Sequence, residues 1–169
     1  MANTKISDIA SAIRQNPAEC IVVDGQAASD VYPGQYVVNV GGEWTLADAD
    51  NESHQNLRGG LVIFRARKDN DGADKDIDDA YDIDNEPFLA MIGVMTSGVG
   101  ACFITDQGET VRAGNPMQIS STAGSLTRAK GNTGTGTDLQ QYPVGTLARK
   151  VASGDTVGFV DLDSKGRVV

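Results

Sequence analysis

The sequence has few of the side chains that carry most protein chemistry. It holds one histidine, two cysteines, one tryptophan and five prolines in 169 residues, and aromatics make up only 5%. Each shortage excludes something. His54, alone in the polar stretch DADNESHQN, has no cysteine or second histidine at ligand spacing, so neither a zinc site nor a histidine relay is expected. Cys20 and Cys102 lie in the apolar stretches ECIVVDG and GACFITD, where a thiol behaves as a small buried hydrophobe. Two cysteines leave pairing and compartment open. Nowhere do about 18 apolar residues run together, and MANTKISDIA contains no signal-peptide core. The expectation is a soluble protein outside the general secretory route.

Bases are scarce as well. Against 23 acids stand 14 Lys and Arg, a net charge of −9 with pI near 4.4. Phosphate backbones and anionic lipid repel such a chain, so neither nucleic acid nor a membrane is an expected partner. No G-x-S-x-G is present, and Gly131, Gly134 and Gly136 in GNTGTG are spaced wrongly for a dinucleotide fingerprint and lack the lysine of a P-loop. With no nucleophile and base in sight, no enzyme is expected. A carboxylate pair for glycoside hydrolysis is the one catalytic arrangement an acid-rich β-protein leaves open.

What the chain has in quantity is glycine, 20 residues, and glycine-dense sequences with β-branched runs between the glycines read as strands joined by turns. Eight strands are predicted, at 20–25, 35–40, 61–67, 88–95, 101–105, 117–120, 144–151 and 156–162. Pro33-Gly34 and Gly41-Gly42 are turn pairs, the second suited to a tight hairpin. LTRAKGNTGTGTDLQQYP predicts an exposed loop between 129 and 139. Before the strands, Ile6, Ile9, Ala10 and Ile13 recur at helical spacing within residues 4–16, and Pro17 ends the pattern. The fold class is therefore mainly β, a compact sandwich or barrel-like domain over 19–169, with one short N-terminal helix or arm in residues 1–18. At this length the core needs no disulfide or metal.

The acidity is local. Residues 69–86 hold nine acids against Lys75 alone, leaving the rest of the chain nearly neutral. Clustered carboxylates take hard cations, which makes Asp69, Asp71, Asp74 and Asp76 weak candidates for a structural Ca²⁺ site. Neither frame beginning at Asp69 or Asp74 fits an EF-hand loop: the first puts Ala73 and Asp74 at its fifth and sixth positions, the second Asp79 at its sixth and Asn85 at its twelfth. A solvated acidic loop, with no cofactor, is the ordinary reading of such a run. A carbohydrate- or cation-binding β-module is the alternative reading for the whole chain.

Several phrases align with a known group. PGQYVV with GGEWTLADAD (33–50), LVIFRAR, the acidic DIDDAYD (76–82), ITDQGETVRAGNPMQISSTAGSLTRA (104–129) and YPVGTLARKV (142–151) follow one another in an order that resembles the capsid decoration, or cement, proteins of tailed bacteriophages. A compact β-unit recurs in such proteins, and here it reads Gly108, Val111, Gly114, Pro116, Ile119, Gly124, Leu126. The likeness spans roughly residues 30–162. It implies a virion structural protein, made in the host cytoplasm and placed on the outer capsid surface, a homotrimer whose partner is the major capsid protein. Ile6, Ile9 and Ile13 are the candidate coat contacts, with docking of this stripe on its own domain as the equal alternative.

Overall fold

The computed structural model describes residues 1–10, 20–57, 59–85, 91–106, 108–129 and 143–162. Tight turns set its frame, and four are built alike. In Tyr32–Gln35, Arg112–Asn115, Thr122–Ser125 and Ala152–Asp155 the fourth N–H donates to the first carbonyl, and the third residue is a glycine with φ between +77° and +89°. L-residues pay a steric penalty in that left-handed region and glycine does not. Gly114 isolates the effect, because a side chain there would meet nothing within 4 Å. Gly114→Ala is expected to lose about 1–2 kcal/mol in urea denaturation through backbone strain alone. Gly41 and Gly42, both at positive φ, make the predicted two-residue hairpin between Val40 and Glu43.

Between the turns run β1 (Ile21–Gln26), β2 (Tyr36–Val40), β3 (Glu43–Leu46), β4 (Gly59–Val62), β5 (Arg67–Lys68), β6 (Asp74–Lys75), β7 (Met91–Phe103), β8 (Pro116–Ile119), β9 (Leu126–Arg128), β10 (Gly145–Leu147) and β11 (Val157–Leu162). All strand pairs are antiparallel. One curled, half-barrel sheet has the order β3-β2-β4-β7-β11-β10-β8-β9, with β1 also on β7, and β5–β6 is a separate small ribbon. The predicted strands at 88–95 and 101–105 are in fact one element, β7, over its described residues. Gly98 at φ +113° lets it bend without ending. Val94 and Met95 sit between β1 and β4, whereas Gly98–Phe103 pair with β11.

The sheet curls until its ends meet. Thr105 N–H donates to the Leu126 carbonyl (2.9 Å), so the chain leaving β7 joins β9, and Tyr36 and Ala47 bond through their backbones to Gly124 (2.8 Å each). Inside lie Tyr36, Val38, Leu61, Met95, Cys102 and Leu126 with their neighbours. Along β2, β4 and β7 the intervening side chains, Val37, Val62, Val94 and Ile92, point to the opposite face and are buried there with Val31, Trp44 and Tyr81. A strand's period of two thus feeds two cores. Of the helix expected over 4–16, α1 occupies Ile6–Ala10, and residues 11–19, Ile13 among them, lie outside the described residues, as does most of the loop expected at 129–139.

Candidate functional site

The acidic segment carries its aspartates at or near the surface, as its charge predicts, but it is also anchored to the body of the protein. Tyr81, the one aromatic in the run, is only 4% exposed. Its backbone pairs with Val31 in both directions (2.7 and 3.3 Å), and its hydroxyl donates to the Ile63 carbonyl (2.8 Å) while accepting from Arg65 N–H (3.0 Å). Arg67 lies over the Tyr81 ring, 3.8 Å from its centroid, and donates to the carbonyls of Asp79 and Ala80 (2.7 and 2.8 Å). A cation on an aromatic face, with hydrogen bonds to flanking carbonyls, clamps the segment onto the chain leaving β4.

Its carboxylates are largely spent on local backbone. Asp69 accepts from the N–H groups of Asp71 and Ala73 (3.0 and 2.8 Å), Asp74 pairs with Lys68 (2.6 Å), and Asp79 accepts from Asp76 N–H (2.7 Å). Asp82 takes the Asn85 side-chain amide and the Asp84 and Asn85 N–H groups, and those bonds, the side-chain one first, hold its carboxyl below the usual range. Asp69, Asp71, Asp74 and Asp76 are not drawn around one point. Among the described residues no three His, Cys, Asp or Glu side chains gather as metal ligands would.

The N-terminal residues meet the same segment. Asn3 N–H donates to Asp155 (2.7 Å) and its carbonyl accepts from Thr156 N–H (2.9 Å), while Ser7 donates to Asp78 from both its N–H and its hydroxyl. Asp8 accepts from Thr4 and Lys5 N–H (2.9 Å each), bonds that hold its carboxyl low. Between these ties Ile6, 3% exposed, fills part of a groove beside Leu61, Met95 and Phe159, with a cavity of about 250 Å³ around it. Burying such a side chain contributes about 1.5–3 kcal/mol. Its seat is Gly34, where any side chain would collide with it. Ile6 therefore docks on its own domain and is withdrawn as a coat contact; Ile9 is half-buried.

No family model matches the chain, and no curated protein matches it in sequence. Among solved structures, the N base of the head fiber of bacteriophage phi29 is similar, with a TM-score of 0.41 and 8% identity over 89% of this chain and 99% of that one.

The glycine-punctuated unit read from the sequence is a physical unit. Gly108, Gly114 and Gly124 all have positive φ, at +67°, +85° and +77°, and Val111, Ile119 and Leu126 are buried in the larger core. Pro116 opens β8 opposite Thr146. The remaining candidates are structural. His54 is buried, its Nδ1 accepting from Asp48 N–H (3.2 Å) and its Nε2 against the Asn51 amide (3.0 Å). Cys20 and Cys102 are unpaired thiols, and burial pushes the Cys102 thiol up. Trp44 is buried against Gly25 and presents no ring to a sugar.

One surface was missed by sequence reasoning. β1 carries exposed Ile21 (53%) and Val22, and Met91 (54%) stands opposite Gln26 at the other end of the same strand pair. IVVDG looked like ordinary core. β1 is a sheet edge, pairing as a strand only with β7 among the described residues, and an edge is not encoded in alternation. Among the described residues no helix is long and apolar enough to cross a membrane.

Proposed function

We propose that this chain is a virion structural protein of a tailed bacteriophage, a cement or decoration protein that binds the outer surface of the assembled head and bridges coat subunits. The observation that carries the reading is the unit from Gly108 to Leu126: the residues on which the resemblance rests are the ones whose backbone angles and burial the turns and core require. The rest of the molecule suits the role. A curled sheet with short, glycine-built turns presents fixed surfaces, and the β1–β7 pair offers exposed Ile21 and Val22 at one end and Met91 at the other for contact with coat.

The mechanism is linkage. A protein that binds the assembled shell and not free coat subunits stabilises the shell by mass action. As a homotrimer engaging three equivalent sites, it converts modest single-site affinity into tight attachment through effective concentration. The role invokes no catalysis and no cofactor.

The test is the composition of purified virions. Quantitative mass spectrometry is expected to find this polypeptide in a copy number set by capsid geometry, and sedimentation of the pure protein to find a trimer. Virions lacking it would refute the proposal. Ile21→Asp with Val22→Asp, changes on an exposed strand that leave the cores intact, are expected to weaken binding to assembled shells at least about tenfold, since each buried aliphatic side chain contributes more than the 1.4 kcal/mol that a factor of ten requires.

A further inference from the structure

We propose that residues 1–10 are an exchangeable strap, an internal ligand of their own domain, and that the groove they occupy accepts residues 1–10 of a second copy of this chain. This stands apart from the virion reading and would hold for any role of the protein.

The seat is built without the strap. Gly34 is fixed by the turn from Tyr32 to Gln35, by its own N–H to the Val62 carbonyl (2.8 Å) and by its carbonyl accepting from Phe103 N–H (3.0 Å). Leu61 and Met95 belong to paired strands, and Phe159 to β11. Pro33 and Gly34 therefore present the same concavity whether or not Ile6 fills it.

The strap is held at scattered points. Over the described residues α1 covers Ile6–Ala10. Among its described side chains Ile6 lies in the core and Ile9 is half-buried. Its hydrogen bonds to the body join positions remote in sequence: Asn3 to Asp155 and Thr156, Ser7 to Asp78. Contacts of this kind open more readily than a strand in a sheet. None depends on the strap belonging to the same chain. The second copy's segment is the one occupant guaranteed to reproduce all of them, with Ile6 on Gly34 and Ser7 on Asp78, which is the condition for swapping an identical element between protomers. Ten peptide units separate Ala10 from Cys20, a covalent reach of at most about 35 Å, enough for a neighbour in contact.

Cross-linking of full-length chains in a Cys20→Ser background tests this, the buried Cys102 being out of reach of a reagent. A chain carrying both Ser7→Cys and Asp78→Cys, treated with a short bismaleimide, is expected to close within itself when dilute. Chains carrying Ser7→Cys alone, mixed at high concentration with chains carrying Asp78→Cys alone, are expected to give a mixed dimer identified by mass. Ser7→Cys with the exposed Asp74→Cys is expected to give none. Adding a synthetic peptide of residues 1–10 should abolish the mixed dimer, and the same peptide with Ile6→Asp should leave it. A double variant that fails to close would overturn the strap. Closure without any mixed dimer, or a mixed dimer equally abundant with Asp74→Cys, would overturn exchange.

Discussion

Replacing Tyr81 with alanine is expected to lower stability by about 3–5 kcal/mol, the range for deleting a buried aromatic side chain, and to unfasten the acidic segment. Three attachments go at once. The ring no longer fills the core shared with Val31, Trp44 and Ile92, the Ile63 carbonyl and Arg65 N–H lose the hydroxyl between them, and Arg67 loses the surface on which its guanidinium rests. Once freed, the run of aspartates has every electrostatic reason to stay away from itself. Hydrogen exchange should then rise sharply at Val31 and Tyr81, whose N–H groups bond to each other's carbonyls. Tyr81→Phe separates the contributions. It keeps the ring and the cation contact, and its expected cost is that of the two part-buried hydrogen bonds its hydroxyl makes, roughly 0.5–1.5 kcal/mol each. Chemical denaturation of the two variants side by side checks both figures; equal losses would mean that the ring contributes nothing.

The second large effect is expected at Leu126. It is fully buried, it opens β9, and its carbonyl takes the Thr105 N–H that ties the end of β7 to the far edge of the sheet. Leu126→Ala should cost about 2–5 kcal/mol, with the upper part of that range if the walls around Met117 and Ile119 cannot collapse into the space. Because the backbone bond from Thr105 survives the substitution, the sheet should still close. The variant is expected to unfold in a single cooperative step at lower urea, with an unchanged dependence on denaturant concentration. A change in that dependence would show instead that the closure itself had opened.

Most strands were legible because β-branched runs between glycines mean the same thing wherever they occur: IVVDG, YVVNV and VGFVDL all form strands. The errors have specific causes. The sequence pattern splits β7 in two because Gly98 and Gly100 look like punctuation, whereas one supplies a bend at positive φ and the other a close approach to Met95 and Leu61. LTR in β9 is too short and too polar to register as a strand; its place is set by pairing with β8, which no local pattern encodes. In the acidic segment net charge foretells the exposed aspartates but not the anchor. Nine like charges predict solvent, but a single tyrosine with an arginine some distance upstream decides where the segment lies, and DDAYD contained that tyrosine in plain view. Ile6 belongs to an apolar stripe, with Ile9 and Ile13, that predicts a dock without saying where. Its dock, Gly34, was visible only as a turn residue, since the absence of a side chain does not announce what it makes room for.

β7 has a consequence for how the protein reaches this structure. It is the strand on which β1 and β4 pair at one end and β11 at the other, so neither half of the sheet has a complete hydrogen-bonded frame without it. The two halves cannot melt independently, and the whole domain should behave as one cooperative unit. Its pairings are also distant along the chain: Ile21 waits for Ser97, and Phe103 waits for Val157. Loop-closure entropy must be met before those contacts return any stabilisation, which places this chain among slow folders, on the order of milliseconds to seconds. During synthesis, β7 emerges with one end already able to pair and the other exposed until β11 follows it.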